Sequence, residues 1–143
     1  MRGLFLADLA LIGEIPAPTF HEEQRAEFLL RRLADSGYQR CVMDGTGTVS
    51  AVWPGEGDGP GILASTNMDT VVEDVRDQTI EIHEDRVIGP FVGDNSIALA
   101  ALCTLPRLFD KLELKFKAPI HVVAATRCPS GTAAGRLPAR LPA

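Results

Sequence analysis

The sequence predicts an α/β fold, a mixed sheet layered with helices. Three observations lead there. Candidate helices and short apolar strands alternate along the chain, as in layered α/β domains. Two of the strand pairs are separated by hairpin chemistry, which adds antiparallel pairing to the sheet. The remaining strands are short apolar runs, which implies burial on both faces.

The elements follow in order. Residues 3–13 read as a short, very apolar helix. Arg2 and the apolar run from Gly3 to Ile12 also fit a signal peptide, but Asp8 interrupts the run. A first helix of a cytoplasmic protein is therefore expected. Ile15-Pro16-Ala17-Pro18 ends it, because proline removes a donor and restricts its predecessor.

Thr19 and Glu22 have capping-box spacing and are expected to open a second helix. Ala26, Leu29, Leu30 and Leu33 form its apolar stripe, and Gly37 its stop. Glu22 and Glu23 suit its positive end, Arg31 and Arg32 its negative end.

Tyr38–Met43 and Thr48–Trp53 read as strands joined through Asp44-Gly45-Thr46-Gly47. Pro54 to Gly61, with four glycines and two prolines in eight residues, is an exposed loop. Gly61 to Ser65 reads as a buried strand running into Thr66-Asn67-Met68-Asp69-Thr70. Gln78–His83 and Arg86–Ile88 suggest a hairpin turning at Glu84-Asp85. Residues 89–95 form a loop, followed by a helix from about Ser96 to Phe109 that Pro106 kinks or ends early. Pro119 to Ala125 is another buried strand.

From Arg127 the pattern dissolves. The last 17 residues hold three Pro, three Arg, four Ala and no acidic residue, and are expected to form an irregular tail. Charge divides at the same place: residues 1–126 carry 19 acidic and 11 basic residues, and the tail carries +3.

The net charge of −5 gives no electrostatic case for nucleic acid. No stretch is apolar for long enough to cross a membrane. Cys41, Cys103 and Cys128 are widely spaced with no CxxC pair, so reduced thiols are expected rather than a cysteine-based metal site.

In α/β sheets ligands gather beyond the carboxyl ends of strands. Asp69 follows an apolar strand, and Asp94 stands at the mouth of a helix. Spacing alone leaves Asp94 open between a helix cap or Asx-turn and a metal ligand, with the cap favoured. His83 reads as a surface turn residue and His121 as a core or edge histidine.

The order Ile15-Pro16-Ala17-Pro18, Glu22 in an amphipathic helix, Gly37, Gly45-Thr46-Gly47-Thr48-Val49, Asn67-Met68-Asp69-Thr70-Val71 and Gly89-Pro90-Phe91-Val92-Gly93-Asp94-Asn95-Ser96 resembles the start of an M20-family zinc peptidase. The likeness runs from about residue 5 to 126. It implies that residues 1–126 are an incomplete zinc-peptidase catalytic domain of the phosphorylase/hydrolase-like kind, with 127–143 a tail outside it. It implies zinc, two ions in intact members, and a substrate class of peptides or N-acyl amino acids cleaved by zinc-activated water.

Carried over by position, Asp94 matches the carboxylate that bridges the two ions. Asp69 matches the acid that orients a neighbouring histidine ligand. Asn67 stands where that histidine would be, Phe91 where the family usually has glycine, and Thr48 replaces a common asparagine. An amide oxygen is a weaker zinc ligand than imidazole, so the first metal position is expected to be weakened.

After the strand at 121–125 the family places Gly-Glu-Glu, a base and a ligand, where this chain reads Arg127-Cys128-Pro129. The leading expectation is a truncated or frameshifted, inactive peptidase with exposed surface that promotes self-association. A non-catalytic module binding a metal, small molecule or partner ranks second. An enzyme completed by another chain ranks third.

Overall fold

The computed structural model describes residues 1–57, 59–70 and 77–127. Val71, Cys128 and the tail from 128 to 143 lie outside the described residues.

The chain order is α1 (Arg2–Gly13), α2 (Glu23–Asp35), β1 (Gln39–Met43), β2 (Val49–Trp53), β3 (Ile62–Asn67), β4 (Glu81–Ile82), β5 (Val87–Ile88), α3 (Ile97–Lys111) and β6 (Ile120–Ala125). Four strands form one sheet in the order β1-β2-β6-β3. β1 and β6 each pair antiparallel with β2, and β3 pairs parallel with β6, Asn67 beside Ala125. The mixed α/β expectation holds. β4 and β5 make a separate small hairpin. No helix among the described residues is long and apolar enough to cross a membrane.

Helix α1 is apolar nearly all round. It buries Leu9 and Ile12 in the core and packs against α3. Its one acid, Asp8, is also buried, and Arg32 of α2 meets it with two hydrogen bonds, 2.6 Å from Nε and 2.9 Å from Nη2. This bidentate pair fastens α1 to α2 and raises the Arg32 pKa, chiefly through the hydrogen bond to Asp8.

Helix α2 ends as expected. Gly37 adopts φ +100°, its N–H donates to Ala34 O, and the Tyr38 N–H donates to Leu33 O. This is the double closure of a Schellman cap, which needs a residue that tolerates the left-handed region. The start of α2 departs from expectation. The helix begins at Glu23, and no side chain caps it. Thr19 Oγ1 donates to Asp69 Oδ2 at 3.1 Å, and Glu22 Oε1 accepts from the Arg127 N–H at 3.0 Å. Both members of the predicted capping box are thus taken by partners distant in sequence.

The β1–β2 turn follows its sequence. Asp44 Oδ1 accepts from the Thr46 N–H, the Thr46 hydroxyl and the Thr48 N–H, which folds 44–48 into a tight reversal.

Strands β2 and β6 are central and buried almost throughout, and Val49, Ala51, Ile120, Val122 and Ala124 belong to the core. β3 is different. Among the described residues it has a neighbour on one side only, and Ile62 and Leu63 are 54% and 42% exposed. The expected burial of this strand is therefore incorrect: apolar composition does not separate an edge strand from a central one. β1, the other edge, is also largely exposed.

Helix α3 runs through Pro106 to Lys111, so the proline does not end it. Pro106 has no N–H for the carbonyl four residues back, which is Leu102 O. Tyr38 Oη donates to that carbonyl at 2.9 Å in the buried core. Tyr38 also begins an aromatic chain through Trp53, Phe109 and Phe116, with centroid separations of 6.1, 5.6 and 4.7 Å, which links the sheet to the end of α3.

Candidate functional site

Strand β3 ends at Asn67, at the same end of the sheet as the end of β6, because the two run parallel. The chain then turns inward. Met68 and Asp69 are buried, Met68 N–H donates to Ala125 O at 2.8 Å, and Thr70 N–H donates to Ala17 O at 2.8 Å. The segment after β3 is thereby fixed between β6 and the loop that precedes α2.

Asp69 is 1% exposed. Its Oδ2 accepts from Thr19 Oγ1 at 3.1 Å and its Oδ1 from Asn67 Nδ2 at 3.4 Å. A cation stands nearby in the core: Arg25 is fully buried, donates to Met68 O at 3.0 Å through Nη1, and donates to Ile15 O at 3.0 Å through Nε. Burial pushes the Arg25 pKa down to about 10, and the charge of Asp69 opposes that shift. A guanidinium satisfied by main-chain carbonyls and a carboxylate satisfied by a hydroxyl and an amide can share a dry interior. Arg25 was not among the residues singled out from the sequence. Its position beside Ala26 on the apolar stripe of α2 is the available signal.

Asp94 and Asn95 lie in the irregular turn Val92–Ser96 that precedes α3, and the peptide between them is cis. The predicted cap role for Asp94 is not what forms. Ser96 occupies the N-cap position of α3, no side chain caps the helix, and the Asp94 carboxylate is exposed. Asn95 reaches back to β3: its Nδ2 donates to Asn67 Oδ1 at 2.8 Å and also bonds Thr66 Oγ1. Asp94 is therefore carried on the turn that touches Asn67, so the structure brings Asn67, Asp69 and the Asp94 turn to one end of β3. Phe91 enters this turn at φ +55°, a conformation that glycine adopts without strain and an aromatic residue rarely does.

The remaining candidates lie elsewhere. His83 is exposed on the β4–β5 turn, with Nε2 3.2 Å from Glu81 Oε2. His121 sits in central β6, partly buried, with its ring against Gly61. Cys103 is buried and Cys41 half-buried, and both thiols have raised pKa values, Cys103 to about 12, with desolvation as the main cause.

Tested against zinc, this arrangement does not fit. Among the described residues no three His, Cys, Asp or Glu side chains converge on one point. The amide oxygen of Asn67 is engaged by Asn95. Among the described residues only Asp94 offers an exposed carboxylate on the turn that touches Asn67, and one carboxylate does not make a tetrahedral zinc site.

By sequence, the chain matches no protein-family model and no curated protein. By structure, it is similar to aminopeptidase PepT from Bacillus cereus, at 18% identity and a TM-score of 0.76, over 92% of this chain and 38% of that one. It is similar to a di-peptidase from Saccharomyces cerevisiae, at 16% identity and a TM-score of 0.77, over 92% of this chain and 33% of that one. It is also similar to the YXEP protein of Bacillus subtilis, a dinuclear metal binding peptidase from the M20 family, at 14% identity and a TM-score of 0.61, over 85% of this chain and 34% of that one. The shared property at these identities is the α/β fold. The chain spans between a third and two fifths of the length of each of these three.

Proposed function

We propose that this chain is a segment of an M20-type peptidase catalytic domain, of the class that hydrolyses peptides or N-acyl amino acids, and that by itself it does not catalyse hydrolysis. One observation carries the reading: on a peptidase fold, Asn67–Asp69 and the Asp94 turn meet beyond the carboxyl end of a parallel strand, where α/β folds place their ligands. Asp69 is already buried and hydrogen-bonded to the side chain at position 67, which is the relation an orienting acid has to a metal-binding residue.

Zinc-assisted hydrolysis needs a held ion, an open coordination position and a base within reach of the bound water. In this chain position 67 is an amide, position 127 is arginine, and residues 114–143 hold no acidic side chain. Zinc is the metal the resemblance implies, and the described residues do not fit it. A cytoplasmic location and self-association through exposed strand β3 belong to the same proposal.

The test is a zinc-supplemented assay of the purified chain on dipeptides, tripeptides and N-acetyl amino acids, beside Asp94→Ala. The expected result is the same background rate for both proteins. Zinc-dependent turnover that disappears in Asp94→Ala would overturn the inactive part of the reading. Turnover indifferent to both zinc and Asp94 would overturn the placement of the site.

A further inference from the structure

Asn67 and Asn95 come from different elements, the end of β3 and the turn before α3. Their amides are oriented by chemistry. Asn67 faces two acceptors on Asp69, the main-chain oxygen at 3.2 Å and Oδ1 at 3.4 Å, so its NH2 group must point there. That turns Asn67 Oδ1 toward Asn95, whose Nδ2 donates to it at 2.8 Å, lies 3.4 Å from Asn67 O and also bonds Thr66 Oγ1. With Thr19 donating to the other oxygen of Asp69, a continuous chain of side chains runs Asn95, Asn67, Asp69, Thr19. It joins the turn before α3, the end of β3 and the entry to α2.

We propose that the Asn67–Asn95 amide pair is a metal-free clasp. It fastens β3 to the Asp94 turn by hydrogen bonds, at the place where a divalent cation shared by a histidine at 67 and Asp94 would otherwise tie the same two segments. The identification of that place rests on the M20 reading of positions 67 and 94. The clasp itself rests on the hydrogen bonds alone. A cation approaching Asn67 Oδ1 meets the hydrogen that Asn95 Nδ2 donates to the same oxygen, while Thr66 Oγ1 takes the second hydrogen of that amide. The amide pair and a metal therefore compete for this oxygen, and the folded chain holds this corner together without a cation.

The clasp makes three demands on the full chain. In the wild-type protein the side-chain NH2 groups of Asn67 and Asn95, observed by 15N NMR, should exchange with solvent roughly fivefold or more slowly than exposed amides, equally in EDTA and in Zn2+. The melting temperature of the wild type should be the same in both, and Asn95→Ala should lower it by roughly 3–5 °C in both. Asn67→His removes the amide and should gain a zinc-dependent rise in melting temperature that Asp94→Ala abolishes.

Unprotected amides in the wild type, or a saturable zinc shift of the Asn67 and Asn95 resonances, overturn the clasp. The NMR measurement decides this even if a variant fails to fold. Protected, zinc-indifferent amides together with an Asn67→His variant that gains no zinc response leave the clasp standing and overturn the M20 reading of position 67.

Discussion

Tyr38 and Leu102 are joined across the core: the phenol donates to the Leu102 carbonyl at 2.9 Å, and that carbonyl is the one left without its helical partner by Pro106. A buried carbonyl without a donor costs about 1–3 kcal/mol. Tyr38→Phe should therefore destabilise the protein by about that amount in urea denaturation. Replacing Pro106 by alanine restores a main-chain N–H to the helix, so Tyr38→Phe should cost clearly less in a Pro106→Ala background. Equal costs in the two backgrounds would show that the hydroxyl does not answer the proline.

Asp69 and Arg25 make a second pair of dependent burials. Asp69→Ala removes the acceptor for Thr19 and Asn67 and leaves the fully buried Arg25 without its neighbouring negative charge. A loss of about 2–4 kcal/mol is expected, because donors and a cation are both left short of partners. Asp69→Asn keeps one acceptor oxygen and should lose less. Chemical denaturation of the two variants measures the difference. Asp69→Ala unfolding at the wild-type midpoint would remove Asp69 from any positioning role.

Elements whose signals are local were legible in the sequence. Asp44 folds its own turn with bonds to residues two and four positions away, and Gly37 closes its own helix. Thr19 and Glu22 misled for the opposite reason. Their spacing is right for a cap, but their side chains serve Asp69 and Arg127, 50 and 105 positions away. The apolar residues Ile62 and Leu63 predict burial for β3, and only pairing reveals an edge. At the site, loop position marks Asp69 and Asp94 and the resemblance adds Asn67 and a metal role for Asp94, whereas nothing local marks Asn95. Its partner lies 28 residues back, and no local pattern marks an amide that reaches across two elements.

Stability should fall as pH rises through about 9, where the raised thiols of Cys103 and, less buried, Cys41 begin to matter. Burial raises the Cys103 thiol from 9.0 to about 12, with Asp8 adding to the shift and Arg32 opposing it. Between those values the unfolded chain has lost the proton and the folded chain keeps it. The folded state then binds more protons, so stability declines as pH rises through that window. Tyr38, raised by desolvation, acts in the same direction from about pH 10. Arg25, lowered to about 10, acts in the opposite direction above that value. Urea midpoints measured from pH 8 to 11 should drop in the wild type, and the drop between pH 9 and 10 should shrink in Cys103→Ala. An unchanged slope in that variant would mean that the thiol is not kept neutral by the fold.

The exposed edge of β3 should govern how the chain behaves at high concentration. Its outer backbone has no strand partner among the described residues, and Ile62 and Leu63 are exposed on it. An apolar strand with unpaired N–H and C=O groups recruits another strand, and lysine on such an edge discourages it. The apparent mass in size-exclusion chromatography should rise with loading concentration, and Ile62→Lys should reduce that rise without lowering the unfolding free energy in urea by more than about 0.5 kcal/mol, because the residue is 54% exposed. Self-association that survives Ile62→Lys and Leu63→Lys together would place the contact elsewhere. The apolar groove between α1 and α3, lined by Phe5, Ala101, Leu105 and Leu108, would then be the next surface to substitute.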